Sequence, residues 1–274
     1  MSNGLYDFSS LMDYSMWQPL GVKNLTAYEC GRLATCIYQF RHINPSPSAF
    51  RHEKIILDLG CRSGHFDKIL RDFFPTASII GVDLDLQSLK LAMHFTHLAV
   101  VADIRKIPLG DSIADLAVCL EVIEHIPETD VPATLKKIGK LIKANGHLLL
   151  STPNRDSPTY IFEKIAHLVL GLQYKGGDPA HTVVYSRKKI TELLQANGFK
   201  VFYNVGYWIL PLTFYWVTLD DSESIMFKWF RKLLVYAIRL TNPVLERAPW
   251  LGFIQIFLCA NSNDRNLSTK KVPT

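Results

Sequence analysis

Glu121, Glu124 and His125, in the stretch CLEVIEHIPE, bring two carboxylates and an imidazole together within five positions. If Glu121 opens a helical turn, Glu124 at i+3 and His125 at i+4 share its face. Such a set suits a divalent ion with hard oxygen ligands and one imidazole, Mg²⁺ or Mn²⁺ rather than structural zinc. It equally suits proton transfer, with His125 as base and Glu121 beside it, and plain scaffolding is a third use. A second histidine, His181 in AHTVVYSRKKI, stands just ahead of a predicted helix. It either meets a substrate or bonds within its own turn. His94 and His97 form an HxxH pair, but among Met93, Phe95 and Leu98 they read as packed or exposed helix residues.

The other chemistry-bearing stretch is LDLGCRSGHF, from Leu57 to Phe66. Glycines between a strand and a helix let backbone approach a ligand, and the helix start offers unpaired N–H groups. Asp83, in GVDLD, follows Gly64 by 19 residues, and a carboxylate at the tip of a second strand accepts both hydroxyls of a ribose. A nucleoside is therefore the expected ligand. The dinucleotide fingerprint G-x-G-x-x-G is not met: Arg62 holds the second glycine position, and Phe66 and Asp67 stand where the third would fall. A P-loop lysine is absent as well.

These residues need a frame. Runs rich in Ile, Val and Leu alternate with amphipathic stretches from Lys54 onward, which predicts βαβ units and a parallel sheet covered on both faces. Strands are expected at KIILDLG, SIIGVDL, HLAVVADI, DLAVCLE, GHLLLSTP, KVFYNVGY and GFIQIFLCA, with helices at 65–74, 86–95, 133–144 and 186–196. Ser186 is placed to cap the last helix and Gly198 to end it. The fold class is α/β, a doubly wound, Rossmann-like, seven-stranded, mostly parallel sheet. Residues 1–50 form an N-terminal helical cap and linker, 51–261 the main domain with an insertion at about 206–249, and 262–274 a tail.

Composition narrows the class. Of 274 residues, 48% are hydrophobic and 20% charged, which excludes a disordered chain. The net charge of +5 comes without any basic block, so no nucleic-acid partner is expected. Five cysteines without a CxxC pair read as reduced thiols of a cytoplasmic protein. The N-terminal stretch has no basic start followed by an apolar run, so no secretory signal is expected. The longest apolar window, Val205 to Leu219, is broken by Pro211 and is too short to span a bilayer.

Taken in order, the motifs resemble those of class I S-adenosylmethionine-dependent methyltransferases. ILDLGCRSG is similar to the first motif, IIGVDLD to the second and VVADIRKIPL to the adenine-contacting third. ADLAVCLEVIEHI is similar to the segment beside the methyl group, and LIKANGHLLLSTPN to the helix and strand that follow. The resemblance covers roughly Ile55 to Phe199. It implies that Asp58 and the loop from Gly60 through Cys61 to Gly64 hold the methionine portion of the cofactor. By the same resemblance Asp83 and Leu84 hold the ribose region, Asp103 and Ile104 the adenine, and Leu120 with Glu121 lies along the cofactor near the methyl group. EVIEH followed by STPNR is similar to the O-methyltransferases of ubiquinone biosynthesis, where the E-x-x-E-H group is implicated in binding a divalent ion. That implies Glu121, Glu124 and His125 as metal ligands. No N-P-P-Y type motif follows the fourth strand, which disfavours amide or base nitrogens as acceptors.

The insertion bears on the acceptor. Over 225–240, Lys228, Arg231, Lys232 and Arg239 fall on one helical face and Met226, Phe227, Phe230, Leu233, Leu234, Ala237 and Ile238 mainly on the other. This pattern fits a lid packed on the sheet, a helix in a membrane interface or a dimer contact. The expectation is transfer of a methyl group to a hydroxyl of a small, lipophilic or lipid-linked acceptor. N- or C-methylation and a silent binding module are the alternatives, and the oligomeric state is left open.

Overall fold

The structure is a computed structural model that describes residues 54–171, 178–209 and 243–262, together with 32, 33, 35, 36, 39 and 241. The expected amphipathic helix at 225–240, the tail from 263 onward and most of the N-terminal cap lie outside these residues. Positions 32, 33, 35, 36 and 39 are helical, in line with the helix expected there.

Seven strands form one sheet: β1 (Ile55–Leu59), β2 (Ser78–Asp83), β3 (Leu98–Val101), β4 (Ala114–Leu120), β5 (Ile142–Pro153), β6 (Phe199–Tyr207) and β7 (Ile254–Asn261). Their order is β3-β2-β1-β4-β5-β7-β6, parallel except for β7, which runs against both β5 and β6. Helices among the described residues include α1 (His65–Phe73), α2 (Leu86–Ala92), α3 (Val131–Leu141), α4 (Pro158–Val169) and α5 (Arg187–Ala196). Strand order reverses between β1 and β4, so ligands are expected outside the carboxyl ends of those two strands.

All seven expected strands are present; β1, β4 and β7 are buried on both faces and so read as plain apolar runs, whereas β3 and β6 are partly exposed. Side chains alternate along β1: Leu57 and Leu59 enter the main core with Leu135, Ile138, Ile190 and Leu194 from α3 and α5, leaving Ile56 and Asp58 for the opposite face. Each fully buried leucine or isoleucine contributes about 1.5–3 kcal/mol. Ser186 Oγ accepts from the Lys189 N–H at 3.1 Å, and Gly198 has φ 87°, so α5 begins and ends where its capping residues set it.

Two elements differ from expectation. Helix α3 ends at Leu141 and β5 begins at once, because Asn145 takes φ 63° inside a strand that starts before the Asn-Gly pair. Helix α4 was not anticipated, although Ser157 caps it through the Tyr160 N–H and Pro158 occupies its first turn. Ile161, Phe162, Ile165, Leu168 and Val169 of α4 are exposed, so the polar outer face that marks a surface helix is missing. No described helix is long and apolar enough to cross a membrane.

Candidate functional site

The loop after β1 turns tightly. The N–H groups of Gly60 and Cys61 both donate to Val82 O, and the Gly64 N–H donates to Cys61 O. Gly60 and Gly64 hold φ 78° and 77°. A Cβ on Gly60 would lie 2.5 Å from Val122 Cγ2, and one on Gly64 2.8 Å from Ala92 Cα. Both positions therefore demand glycine for conformation and for space. Arg62 is left-handed too, at φ 48°, and exposed. It is held there by its N–H, which donates to Asp83 Oδ2 at 2.8 Å. The Asp85 N–H donates to the other oxygen at 2.9 Å. Asp83 is thus a strand-tip carboxylate fixed by two amides, with lone pairs left over.

Asp58 is buried on β1, and loss of solvation pushes its carboxyl up to about 7. Cys61 is buried and Leu84 exposed. Asp103 caps a short 3₁₀ turn that contains the buried Ile104, and the Arg105 guanidinium bonded to it holds its carboxyl below the usual range. Arg105 continues to Asp130 at 2.9 Å. The described cysteines are free thiols.

Beyond β4 the chain does not form the expected helical turn at Glu121. Glu121 has φ 56°, and a 3₁₀ turn begins only at Ile123. Glu121 therefore does not share a helical face with Glu124 and His125. Its Oε1 accepts the Ser151 hydroxyl at 2.6 Å, and burial raises its pKa while Arg32 and His125 lower it. Glu124 is fully buried; Oε2 accepts the Thr152 hydroxyl at 3.0 Å, and Oε1 receives no donor from the described residues. Desolvation, with the neighbouring Glu121 charge, raises the Glu124 pKa well above the usual range.

His181 comes to this place from a loop that is stitched to the EVIEH turn. Thr182 N–H donates to Glu124 O at 2.8 Å, and its single hydroxyl hydrogen lies between Ile126 O at 2.7 Å and Glu124 O at 2.9 Å. His181 Nε2 lies 4.0 Å from Glu124 Oε1. Its ring meets that of His125 edge-on with centroids 4.8 Å apart. Glu124, His125 and His181 thus offer ligand atoms all within 4.8 Å of one another, and this group leaves out Glu121. Thr152 and Ser151, which bond the two glutamates, come from the end of β5. Sequence reading passed over them and over Arg32, whose charge reaches Asp58, Glu121 and Glu124. The only signal for the pair of hydroxyls was their place just after an apolar strand, and Arg32 gave none.

A sheet of this order, with a glycine loop after β1 and an acid at the tip of β2, is the build of class I S-adenosylmethionine-dependent methyltransferases. The family described as methyltransferase domain matches residues 33–204, and the chain belongs to it. It is 31% identical over 185 residues to a ubiquinone biosynthesis O-methyltransferase of Acinetobacter baylyi, covering 63% of this chain and 75% of that protein. The corresponding match in Nitrosomonas europaea is 31% over 135 residues, 45% of this chain and 54% of the relative. Among solved structures, an S-adenosylmethionine-dependent methyltransferase of Archaeoglobus fulgidus aligns over 90% of this chain and 100% of its own at TM-score 0.53 and 18% identity. A sarcosine dimethylglycine methyltransferase candidate of Galdieria sulphuraria aligns over 92% and 98% at TM-score 0.59 and 12% identity. These two likenesses are of fold alone. The protein is a methyltransferase enzyme of this class.

Proposed function

We propose that the protein transfers a methyl group from S-adenosylmethionine to a hydroxyl of a small, lipophilic acceptor, with His125 and His181 handling the hydroxyl proton. The observation that carries the reading is the histidine pair set against the buried Glu124 at the end of β4, next to the glycine loop. The relatives named as O-methyltransferases support an oxygen acceptor. The exposed apolar face of α4 supports a greasy one.

The residues fit the cofactor. Gly60 packs on Val122 and Gly64 on Ala92, which fixes the shape of the loop, and Gly64 gives α1 no side-chain cap, so first-turn amides face the loop. Asp83 is pre-positioned for a ribose, and Asp58 with the loop for the methionine portion. Bound there, the cofactor supplies a methyl group already activated on a sulfonium. The protein's own tasks are alignment of the acceptor oxygen and removal of its proton. His125, less buried than His181, takes the proton from the acceptor. His181, backed by Glu124, fixes the orientation of the neighbouring ring. An acceptor screen with methyl-labelled cofactor against lipid and phenolic extracts tests the reading. Label appearing only on amines, or none at all, would overturn it.

A second use of the same trio is favoured by the buried Glu124 Oε1, which no described residue supplies with a donor. Glu124, His125 and His181, one carboxylate and two imidazoles, suit a divalent ion such as Mn²⁺ better than Mg²⁺, with His181 in the place the sequence assigned to Glu121. The ion would polarise the acceptor oxygen. Activity that disappears on chelation and returns with Mn²⁺ distinguishes this use from proton transfer alone.

A further inference from the structure

The helix that follows the glycine loop carries a group that no step above employs. Asp67, on the inward face of α1, is completely buried, and none of the described residues donates a hydrogen bond to either of its carboxyl oxygens. A carboxyl there displaces an apolar side chain from a face otherwise formed by Phe66, Ile69 and Leu70. Burying such a group without a partner costs stability. The polar neighbour it does have is Asp58, which alternation along β1 sends to this same side of the sheet and whose carboxyl is within hydrogen-bonding contact. Two carboxyls in contact bond only if one of them carries a proton, and two like charges this close in a dry site do not both ionise.

None of the described groups around the pair supplies a counter-charge to Asp67. Asp83 on β2 adds negative charge, and Arg32 from the N-terminal helical residues acts on Asp58. The thiols of Cys36, Cys61 and Cys119 are raised by burial and stay protonated. Among the described residues Arg32 is the cation that acts on Asp58, and the cofactor reading above brings a second: the ammonium of the methionine portion.

We propose that Asp58 and Asp67 share a proton in the free protein and release it to solvent when that ammonium docks beside Asp58, which makes Asp67 a positioning residue for the cofactor. This rests on the cofactor reading. One O–H bond breaks, the proton leaves to water, and the pair binds as a dianion facing a cation with nothing oxidised or reduced. The ionised pair of the complex is the low-proton state, so cofactor affinity rises with pH, by about tenfold per pH unit where a single proton is linked, and levels off once the free pair has lost its proton.

Calorimetry with S-adenosylhomocysteine isolates the ammonium, since its thioether is uncharged. Titrations at about pH 6.5, below the range of an α-amino group, in two buffers of different ionisation heat count the protons exchanged. The wild type is expected to release about one proton per ligand bound. Asp67→Asn, whose amide donates to an ionised Asp58, is expected to bind the ligand with little proton release and a flat pH dependence. Binding by the wild type with no proton released, or equal release from Asp67→Asn, overturns the proposal. Asp67→Thr serves if the asparagine variant does not fold, and the wild-type count stands alone in any case. Folded wild type that fails to bind the ligand overturns the cofactor reading itself, and this inference with it.

Discussion

Replacing Asp83 by alanine removes two things at once, and their sizes are separable. The first is the carboxylate proposed to take the ribose hydroxyls. Hydrogen bonds to a charged acceptor contribute about 1.5–3 kcal/mol each, so losing two costs about 3 kcal/mol or more, a drop on the order of a hundredfold in S-adenosylhomocysteine affinity. The second is the anchor of the loop. Arg62 sits at φ 48° with its N–H on Asp83 at 2.8 Å. A left-handed non-glycine residue costs roughly 1–2 kcal/mol, about what that one bond returns. Without Asp83 the strain is unopposed and the loop relaxes away from its bound shape. Arg62→Gly removes the strain but leaves the ribose loss untouched. The double variant is therefore expected to bind about fivefold more tightly than Asp83→Ala, reflecting about 1 kcal/mol, and still far more weakly than wild type. Calorimetry on the four proteins reads both terms. Asp83→Ala binding within about threefold of wild type would refute the ribose role. Absence of any rescue by Arg62→Gly would refute the strain account, leaving the ribose contact intact.

Gly60→Ala is expected to destabilise by about 2–4 kcal/mol, combining left-handed strain with a Cβ pressed against Val122, and Val122→Ala should recover the steric part in thermal melts. Glu124→Gln tests the buried carboxyl. A carboxyl whose folded pKa is raised contributes stability below its unfolded value that is lost as pH rises. The variant should therefore melt higher than wild type at neutral and alkaline pH, with the gap closing toward pH of about 4.5; a gap that widens on acidification would reverse the assignment. His125→Asn and His181→Asn should each lower turnover by about 10²–10⁴ while S-adenosylhomocysteine binding stays within a few fold. Loss of binding instead would mean that the pair supports the cofactor rather than the acceptor.

The sheet was legible because its information is local. The central strands β1, β4 and β7, buried on both faces, read as apolar runs, and α5 announced itself through Ser186 and Gly198. Helix α4 shows the limit of that logic. Its start signals, Ser157 and Pro158, were present, but Ile161, Phe162, Ile165, Leu168 and Val169 face outward, and a stripe of apolar residues on the wrong side erases the amphipathic pattern. The site was legible only in part for a different reason. Glu121, Glu124 and His125 are neighbours in sequence, which suggests a helical face, yet Glu121 takes φ 56° and turns toward Ser151. Glu124 finds its partner in His181, brought across by the bonds of Thr182 to Glu124 and Ile126. Spacing in a chain reports which side chains share a face only while the backbone stays regular. The end of β4 is where it does not, and the chemistry assembled there is set by tertiary bonds to a loop some fifty residues away. The same holds for Asp67, which reads as an ordinary acid in the first turn of a helix until β1 places Asp58 against it. That contact makes the two acids one titrating unit rather than two, and the unit lies where the cofactor's only lasting cation is expected to dock.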